Sequence, residues 1–342
     1  MDRAMPMPFL FPATDKVDDI PVIDWAVGDA PLSGETHKAA AIGNFDGVHR
    51  GHQALISEAC NIARQAGTAG LDPVVITFSP HPRLYFRPDQ PGFFLADEQD
   101  KIALLAATGV AAIIRLRFDD AMRQTSAEDF ITSILPSLGV SDLLAGSDFA
   151  FGNDRSGDMK MISKLGSSVG VSAHSVDLLA ENDDPVSSTR IRSAVAAGDM
   201  PSAQAMLGRP YIISGNVEKG DQRGRTIGFP TANIRLGMMQ EPAFGVYTVA
   251  ARLADDKKAP VISGIANIGR RPTVEDRGVL LEAHLFDYDG DLYGQRLNVM
   301  LLDFIRPEQA FNGLDALKDQ IARDVEGARA FHDWNKECRT QD

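Results

Sequence analysis

His49 and His52 stand three apart in the stretch Gly43-Asn44-Phe45-Asp46-Gly47-Val48-His49-Arg50-Gly51-His52. That spacing puts both rings on one face of a first helical turn. The apolar run Ala39-Ala40-Ala41-Ile42 precedes them and a helix-periodic stretch follows. A strand end that feeds a helix N-terminus collects anions, because orphan N–H groups and the helix dipole face the ligand there. Gly43, Gly47 and Gly51 let backbone approach a phosphate closely, and two imidazoles can donate to a phosphate that is gaining charge. Alone, H-x-G-H also fits two surface histidines capping a helix. A second group is Ser187-Ser188-Thr189-Arg190-Ile191-Arg192. Its hydroxyls can cap the helix that runs toward Gly198, and two guanidinium groups near that end suit a polyphosphate.

A third group is Lys219 to Asn233. Gly220, Gly224 and Gly228 make a backbone-rich loop able to wrap phosphates without a Walker lysine, although the glycines alone also fit a plain hairpin. Pro230 fixes the chain before Thr231 and Asn233, two oxygen donors that share a face of an extended strand and suit Mg²⁺. In the strand after residue 278, Glu282, His284 and Phe286 alternate with Leu281, Ala283 and Leu285, which gives one polar face with a carboxylate. A solvated strand glutamate is the other reading of that position.

The elements that must position these groups follow from periodicity. Leu55, Ile56, Ala59, Ile62, Ala63 and Ala66 recur at helical spacing and Gly67 closes the helix. Val74–Phe78, Ala111–Leu116 and Leu143–Ala145 read as buried strands, with a helix at about 97–107 between the first two. Alternating strands and helices imply a parallel sheet covered on both faces. After about residue 208, Tyr211–Val217, Val246–Leu253, Val261–Ile268, Val279–Phe286 and Leu297–Phe304 read as strands with no long helix between them, an antiparallel sheet or small barrel. A last amphipathic helix is expected from Leu314 to Phe331, with Leu314, Leu317, Ile321, Val325 and Ala328 on one face. Asp287-Tyr288-Asp289-Gly290-Asp291 lacks the glycine and distal glutamate of a calcium loop, and Asp289-Gly290 is expected to turn a hairpin.

The chain of 342 residues has room for two domains of about 150 residues. The expected boundaries are an N-terminal extension at 1–37, an α/β domain at 38–200 and a β domain at 205–335. The net charge is −13, which argues against a nucleic-acid partner, since a duplex binder needs a basic face. The two cysteines, Cys60 and Cys338, form no CxxC, so a disulfide framework is not expected. The apolar run from Leu104 to Ile114 is broken by Thr108 and Gly109 and falls short of the roughly 18 residues that span a bilayer. No membrane partner and a cytoplasmic location are expected. There is no G-x-G-x-x-G, no Walker lysine motif and no HExxH.

The first stretch closely resembles the adenylyltransferase module of the bacterial bifunctional riboflavin kinase/FAD synthetases. Thr77-Phe78-Ser79-Pro80-His81-Pro82, Gly146–Gly152 with Arg155–Asp158, and Val186–Arg192 resemble further motifs of that module. Lys219–Asn233, Gly264–Thr273 and Leu281–Gly294 resemble its riboflavin kinase module. Ser79, Ala150 and Arg270 depart from residues common in the family. The resemblance covers about residues 38–330. It implies a Rossmann-like nucleotidyltransferase domain followed by an antiparallel β-barrel kinase domain with a terminal helix.

It also implies two reactions. Riboflavin and ATP give FMN in the kinase domain, and FMN with a second ATP gives FAD and pyrophosphate in the other. Implied roles are His49, His52 and Glu282 as catalytic groups, with Glu282 the general base. Gly43, Phe45, Asp46, Gly47, Ser187, Ser188, Thr189, Arg190, Arg192, Gly220, Arg223, Gly224 and Gly228 are implied for ATP and phosphate. His81, Asp148, Phe149 and Phe151 are implied for the flavin. Thr231 and Asn233 are implied for Mg²⁺, the expected cofactor alongside ATP as co-substrate. An enzyme with one active module and a non-catalytic flavin or nucleotide sensor are the rival readings.

Overall fold

The computed structural model describes residues 20–32, 37–67, 70–177, 179–181, 184–219, 229–254, 256, 258–270 and 278–339. They form two compact units, one holding described residues up to 90 and 101–186, the other 91–100 and described residues from 187 onward.

The first unit runs β1 (Val22–Trp25), β2 (His37–Ile42), α1 (Arg50–Gln65), β3 (Leu71–Ser79) and α2 (Pro82–Phe86). It continues through α3 (Glu98–Ala106, which begins in the second unit), β4 (Ala112–Arg117), α4 (Asp120–Gln124), α5 (Ala127–Asp129), a π turn at Phe130–Ile134 and α6 (Leu135–Ser137). Then come β5 (Val140–Gly146), α7 (Met159–Leu165), β6 (Ser172–Val176) and a short antiparallel pair, β7 (Ala180–Glu181) and β8 (Asp184–Pro185). Six parallel strands lie in the order β1-β4-β3-β2-β5-β6.

Alternate residues of the strands feed two cores. Ala40, Ile42, Ile76, Ile114 and Leu143 meet Phe130, Ile131, Ile134 and Ile162 on one face. Ala39, Ala41, Val75, Ile113 and Leu144 meet Leu55, Ile56, Ala59 and Ala63 of α1 on the other. The small residues of central β2 are wholly buried. From β2 the chain steps to β3 and β4 on one side, then crosses to β5 and β6 on the other. This makes a topological switch point at the carboxyl ends of β2 and β5, where open α/β sheets bind ligands. The 1–37 segment, read from sequence as an extension without assigned elements, contributes β1. Its pairing with β4 is fastened by Asp24 accepting from Arg115 at 2.7 and 2.8 Å, a signal 91 residues distant in sequence.

The second unit contains α8 (Ser188–Ala197), α9 (Met200–Leu207), β9 (Tyr211–Asn216), β10 (Ala232–Arg235), β11 (Gly245–Leu253), β12 (Ile262–Arg270), β13 (Val279–Leu285), β14 (Arg296–Pro307) and α10 (Leu314–Arg339). Helix α9 occupies the interval between Gly198 and Arg209. The six strands are antiparallel in the order β10-β13-β12-β11-β14-β9. A bridge between Glu218 and Asn233 brings the end of β9 to β10, which nearly closes a barrel. Both faces of the central strands are buried. Val249, Leu301 and Tyr211 point one way, while Ala250, Met300 and Ile212 point the other and pack against Phe331 of α10. Ile321, Val325 and Ala328 of α10 cover Ile265 and Phe286, whereas Leu314 is exposed.

One turn differs from expectation. Consecutive β13 and β14 do not pair, so Asp289-Gly290 turns no hairpin. The loop instead crosses between strands that are not neighbours in the sheet, and a two-residue turn cannot make that crossing.

Candidate functional site

After β2 the chain turns through an unusual backbone. Phe45 and Val48 take φ 50° and 40°, and Gly47 takes φ 75°. Left-handed conformations at a bulky and a β-branched residue persist only where surroundings hold them. Here Thr77 Oγ1 donates to the Asn44 carbonyl at 3.2 Å, Gly43 N–H donates to Ile76 O at 3.1 Å, and Gln53 Nε2 donates to Val48 O at 2.8 Å. Phe45 is fully buried and Asp46 nearly so.

The turn delivers His49 as the N-cap of α1, its Nδ1 accepting the His52 N–H at 3.3 Å. The two rings stack, with centroids 3.5 Å apart and planes within 17°. The edge of Phe45 meets His52 at 5.1 Å. Gly51 is what permits the stack: a Cβ there would lie 3.2 Å from His49 Nδ1 and 3.6 Å from Val186 O. Burial first, and the neighbouring His49 second, hold the His52 pKa well below the ordinary histidine value. His52 is therefore neutral near pH 7, and its buried Nδ1 has no hydrogen-bond partner among the described residues. The turn thus gathers two stacked imidazoles at the amino end of α1.

Two neighbouring strands place the other expected loops at the same carboxyl edge of the sheet. After β3, His81 caps α2, its Nδ1 accepting from Arg83 N at 3.0 Å. After β5, Asp148 is exposed and Phe149 half-buried, stacked at 5.3 Å on Phe151. Phe151 belongs to the core, 8% exposed and packed on Phe130, so it holds the loop from below. Gly157 accommodates it, since a Cβ there would come within 2.7 Å of the Phe151 ring.

In the second unit, Ser187 is the N-cap of α8, its Oγ accepting from Arg190 N at 3.3 Å. Ser188 and Thr189 fill the first turn. Arg192 Nε donates to the Phe93 carbonyl at 2.7 Å.

Asn233, Glu282 and Asn267 lie side by side on three adjacent strands, in register and so on one face. Thr231 and Asn233 border a cavity of about 330 Å³ whose walls include Ala283, Tyr288, Asp291 and Tyr293. Glu282 does not line that cavity, although Asn233, its partner in register on β10, does. Asn233 is 7% exposed, with its Nδ2 directed to Thr231 O at 3.4 Å. A hydroxyl and an amide oxygen form a hard donor set that fits Mg²⁺. His284 Nδ1 lies 2.9 Å from Pro230 O, a contact that steadies this segment. Gly220, Arg223, Gly224 and Gly228 lie outside the described residues, as does Thr273. The sequence reading assigned no individual role to Asn267, Tyr288, Asp291 or Phe93, although Asn267 lies in the Gly264–Thr273 stretch and Tyr288 and Asp291 in Leu281–Gly294. For Asn267 a strand-alternation signal was present in Gly264–Gly269, but for the others only the fold reveals the neighbourhood.

A family model described as FAD synthetase matches residues 33–190, and one described as riboflavin kinase matches residues 207–332. The chain is 41% identical over 296 residues to the bifunctional riboflavin kinase/FMN adenylyltransferase of Escherichia coli K12, covering 86% of this chain and 93% of the relative. The chain belongs to the bifunctional riboflavin kinase/FMN adenylyltransferase family. Relatives of the same description from Pseudomonas fluorescens and Bacillus subtilis are 41% and 37% identical, covering 85% and 86% of this chain and 92% and 93% of their own lengths. A solved Streptococcus pneumoniae structure described as a macrolide-efflux protein superposes with a TM-score of 0.78 at 29% identity, covering 90% of this chain and 99% of that one. Among the described residues no helix is long and apolar enough to cross a membrane. The chain is a transferase with both activities and uses ATP as co-substrate. Its substrates and products are riboflavin, FMN, ATP and FAD.

Proposed function

We propose that the two reactions use separate sets of side chains within the one chain. In riboflavin phosphorylation, Glu282 takes the proton from the terminal ribityl hydroxyl as its oxygen attacks the γ-phosphorus and ADP leaves. Thr231 and Asn233 hold Mg²⁺, which when bound neutralises charge on the ATP phosphates. In adenylyl transfer, a phosphate oxygen of FMN attacks the α-phosphorus of ATP and pyrophosphate leaves. That oxygen is already an anion, so no strong base is required. His49 and His52 donate to the phosphate as charge builds, and the hydroxyls of Ser188 and Thr189 and the guanidinium of Arg192 suit a polyphosphate. Gly43, Phe45, Asp46 and Gly47 shape the phosphate loop, and His81, Asp148 and Phe149 face the flavin with Phe151 as support. The ATP demand of both steps fits the expected cytoplasmic setting.

The observation that carries this division is the in-register row Asn233–Glu282–Asn267 in the barrel, set against the His49–His52 stack on α1. The test is incubation of the purified protein with riboflavin, ATP and Mg²⁺, with FMN and FAD separated by chromatography. His52→Ala is expected to accumulate FMN and lose FAD formation by about 100-fold or more. Glu282→Ala is expected to make no FMN yet convert supplied FMN to FAD. Loss of both activities from either folded variant overturns the division.

A further inference from the structure

Arg192 is gripped twice by one residue. Its Nε donates to the Phe93 carbonyl at 2.7 Å, and its guanidinium carbon lies 5.4 Å from the centroid of the Phe93 ring. Phe93 is only 2% exposed, so bulk water does not compete for either contact. Phe93 is itself fixed. Its N–H and that of Phe94 both donate to Met238 O, at 2.8 and 2.9 Å, and Gln240 N–H donates to Phe94 O at 2.8 Å. A Cβ at Gly92 would sit 2.4 Å from Met239 O, so glycine alone lets this segment lie so close. At its far end Ser214 Oγ donates to Asp100 at 2.5 Å, and Arg296 pairs with Asp97. Residues 91–100 are therefore a strap fastened along the barrel unit, and Phe93 is the point where the strap meets α8.

We infer that Phe93 is a positioning residue for adenylyl transfer: its carbonyl and ring set the plane of the Arg192 guanidinium before ATP arrives. A long, rotamer-rich side chain that is already oriented loses less freedom on gripping a phosphate. The inference rests on the reading of Arg192 as a polyphosphate-binding group. It adds that the group's competence depends on a residue from a different stretch of chain.

The test uses the full-length enzyme, supplied FMN and varied ATP, with riboflavin phosphorylation measured in parallel. Phe93→Leu keeps an apolar filler but removes the ring face, and should raise the KM for ATP in FAD formation by about 3- to 30-fold. Its kcat should stay within about twofold, since the ring acts on ATP capture. The phosphorylation rate should not change. Phe93→Tyr keeps the ring and should restore the KM. In an Arg192→Met background, Phe93→Leu should add little further penalty, because its effect runs through the guanidinium. An unchanged KM in Phe93→Leu, or an equal penalty in both backgrounds, overturns the positioning role. Phe93→Met, read by the same criteria, decides the matter where Phe93→Leu depresses phosphorylation. If Arg192→Met leaves the ATP dependence unaltered, the phosphate-binding reading of Arg192 falls and this inference with it. If Arg192→Met raises the KM while both Phe93 variants leave it alone, only the positioning role falls.

Discussion

Gly51→Ala separates stability from chemistry at a single atom. Gly51 lies in the first turn of α1, where alanine is the better helix former by roughly 1 kcal/mol. The added methyl would stand 3.2 Å from His49 Nδ1, 3.3 Å from its Cε1 and 3.6 Å from Val186 O. Ordinary contact needs a few tenths of an ångström more from the imidazole. His49 is 5% exposed and its ring is stacked at 3.5 Å on His52, so it cannot yield without moving its partner. The compression costs on the order of the helix-propensity gain, and unfolding free energy should change by less than about 1 kcal/mol. The chemistry is less forgiving. A misplacement of about 1 Å at a reacting centre costs about 100-fold, so a shift of a few tenths shared by two rings should slow FAD formation by about 3- to 10-fold. Urea denaturation and the FMN-to-FAD rate, measured on the same preparation, test both halves. Wild-type FAD formation by the Gly51→Ala variant would refute the claim that the glycine exists to hold the histidine pair.

Three further outcomes are expected. Gly157→Ala places a methyl 2.7 Å from the Phe151 ring and should destabilise the protein by about 1–3 kcal/mol in urea titration. Asn233→Ala should raise the Mg²⁺ concentration needed for half-maximal riboflavin phosphorylation while leaving FMN adenylylation at its own rate. The depressed pKa of His52 means that the unfolded chain takes up a proton where the folded one does not. Its contribution is complete above the unfolded value near 6.5 and is lost as pH falls from there toward the folded value, so His52→Phe should flatten the fall of stability between about pH 7 and 5.

Much of this molecule is legible from short windows of sequence. The strand before His49, the helix after it and the barrel strands show their periodicity locally, and each is found within a few residues of its expected limits. The histidine motif is legible because strand end, glycine turn and helix start lie within ten residues. What escaped depends on distant partners. β1 is four residues whose pairing is set by Arg115, and β10 is too short for alternation to stand out against Pro230. The Asp289-Gly290 pair is a common turn signal, but turn chemistry says nothing about whether the flanking strands are neighbours. Phe93 looks from sequence like one apolar residue among several. Its role exists only once Met238 and Arg192 flank it.

The strap has a consequence for synthesis on the ribosome. Phe93 and Phe94 emerge about 145 residues before Met238, the backbone that receives them. At about 5–20 residues per second the wait is roughly 7–29 s. Throughout that interval two adjacent aromatic rings lack the carbonyl that anchors their backbone. Nascent chains of this enzyme therefore pass through a stage in which an otherwise finished parallel sheet trails an undocked, sticky loop, and that stage is where chaperone capture or misassociation should concentrate.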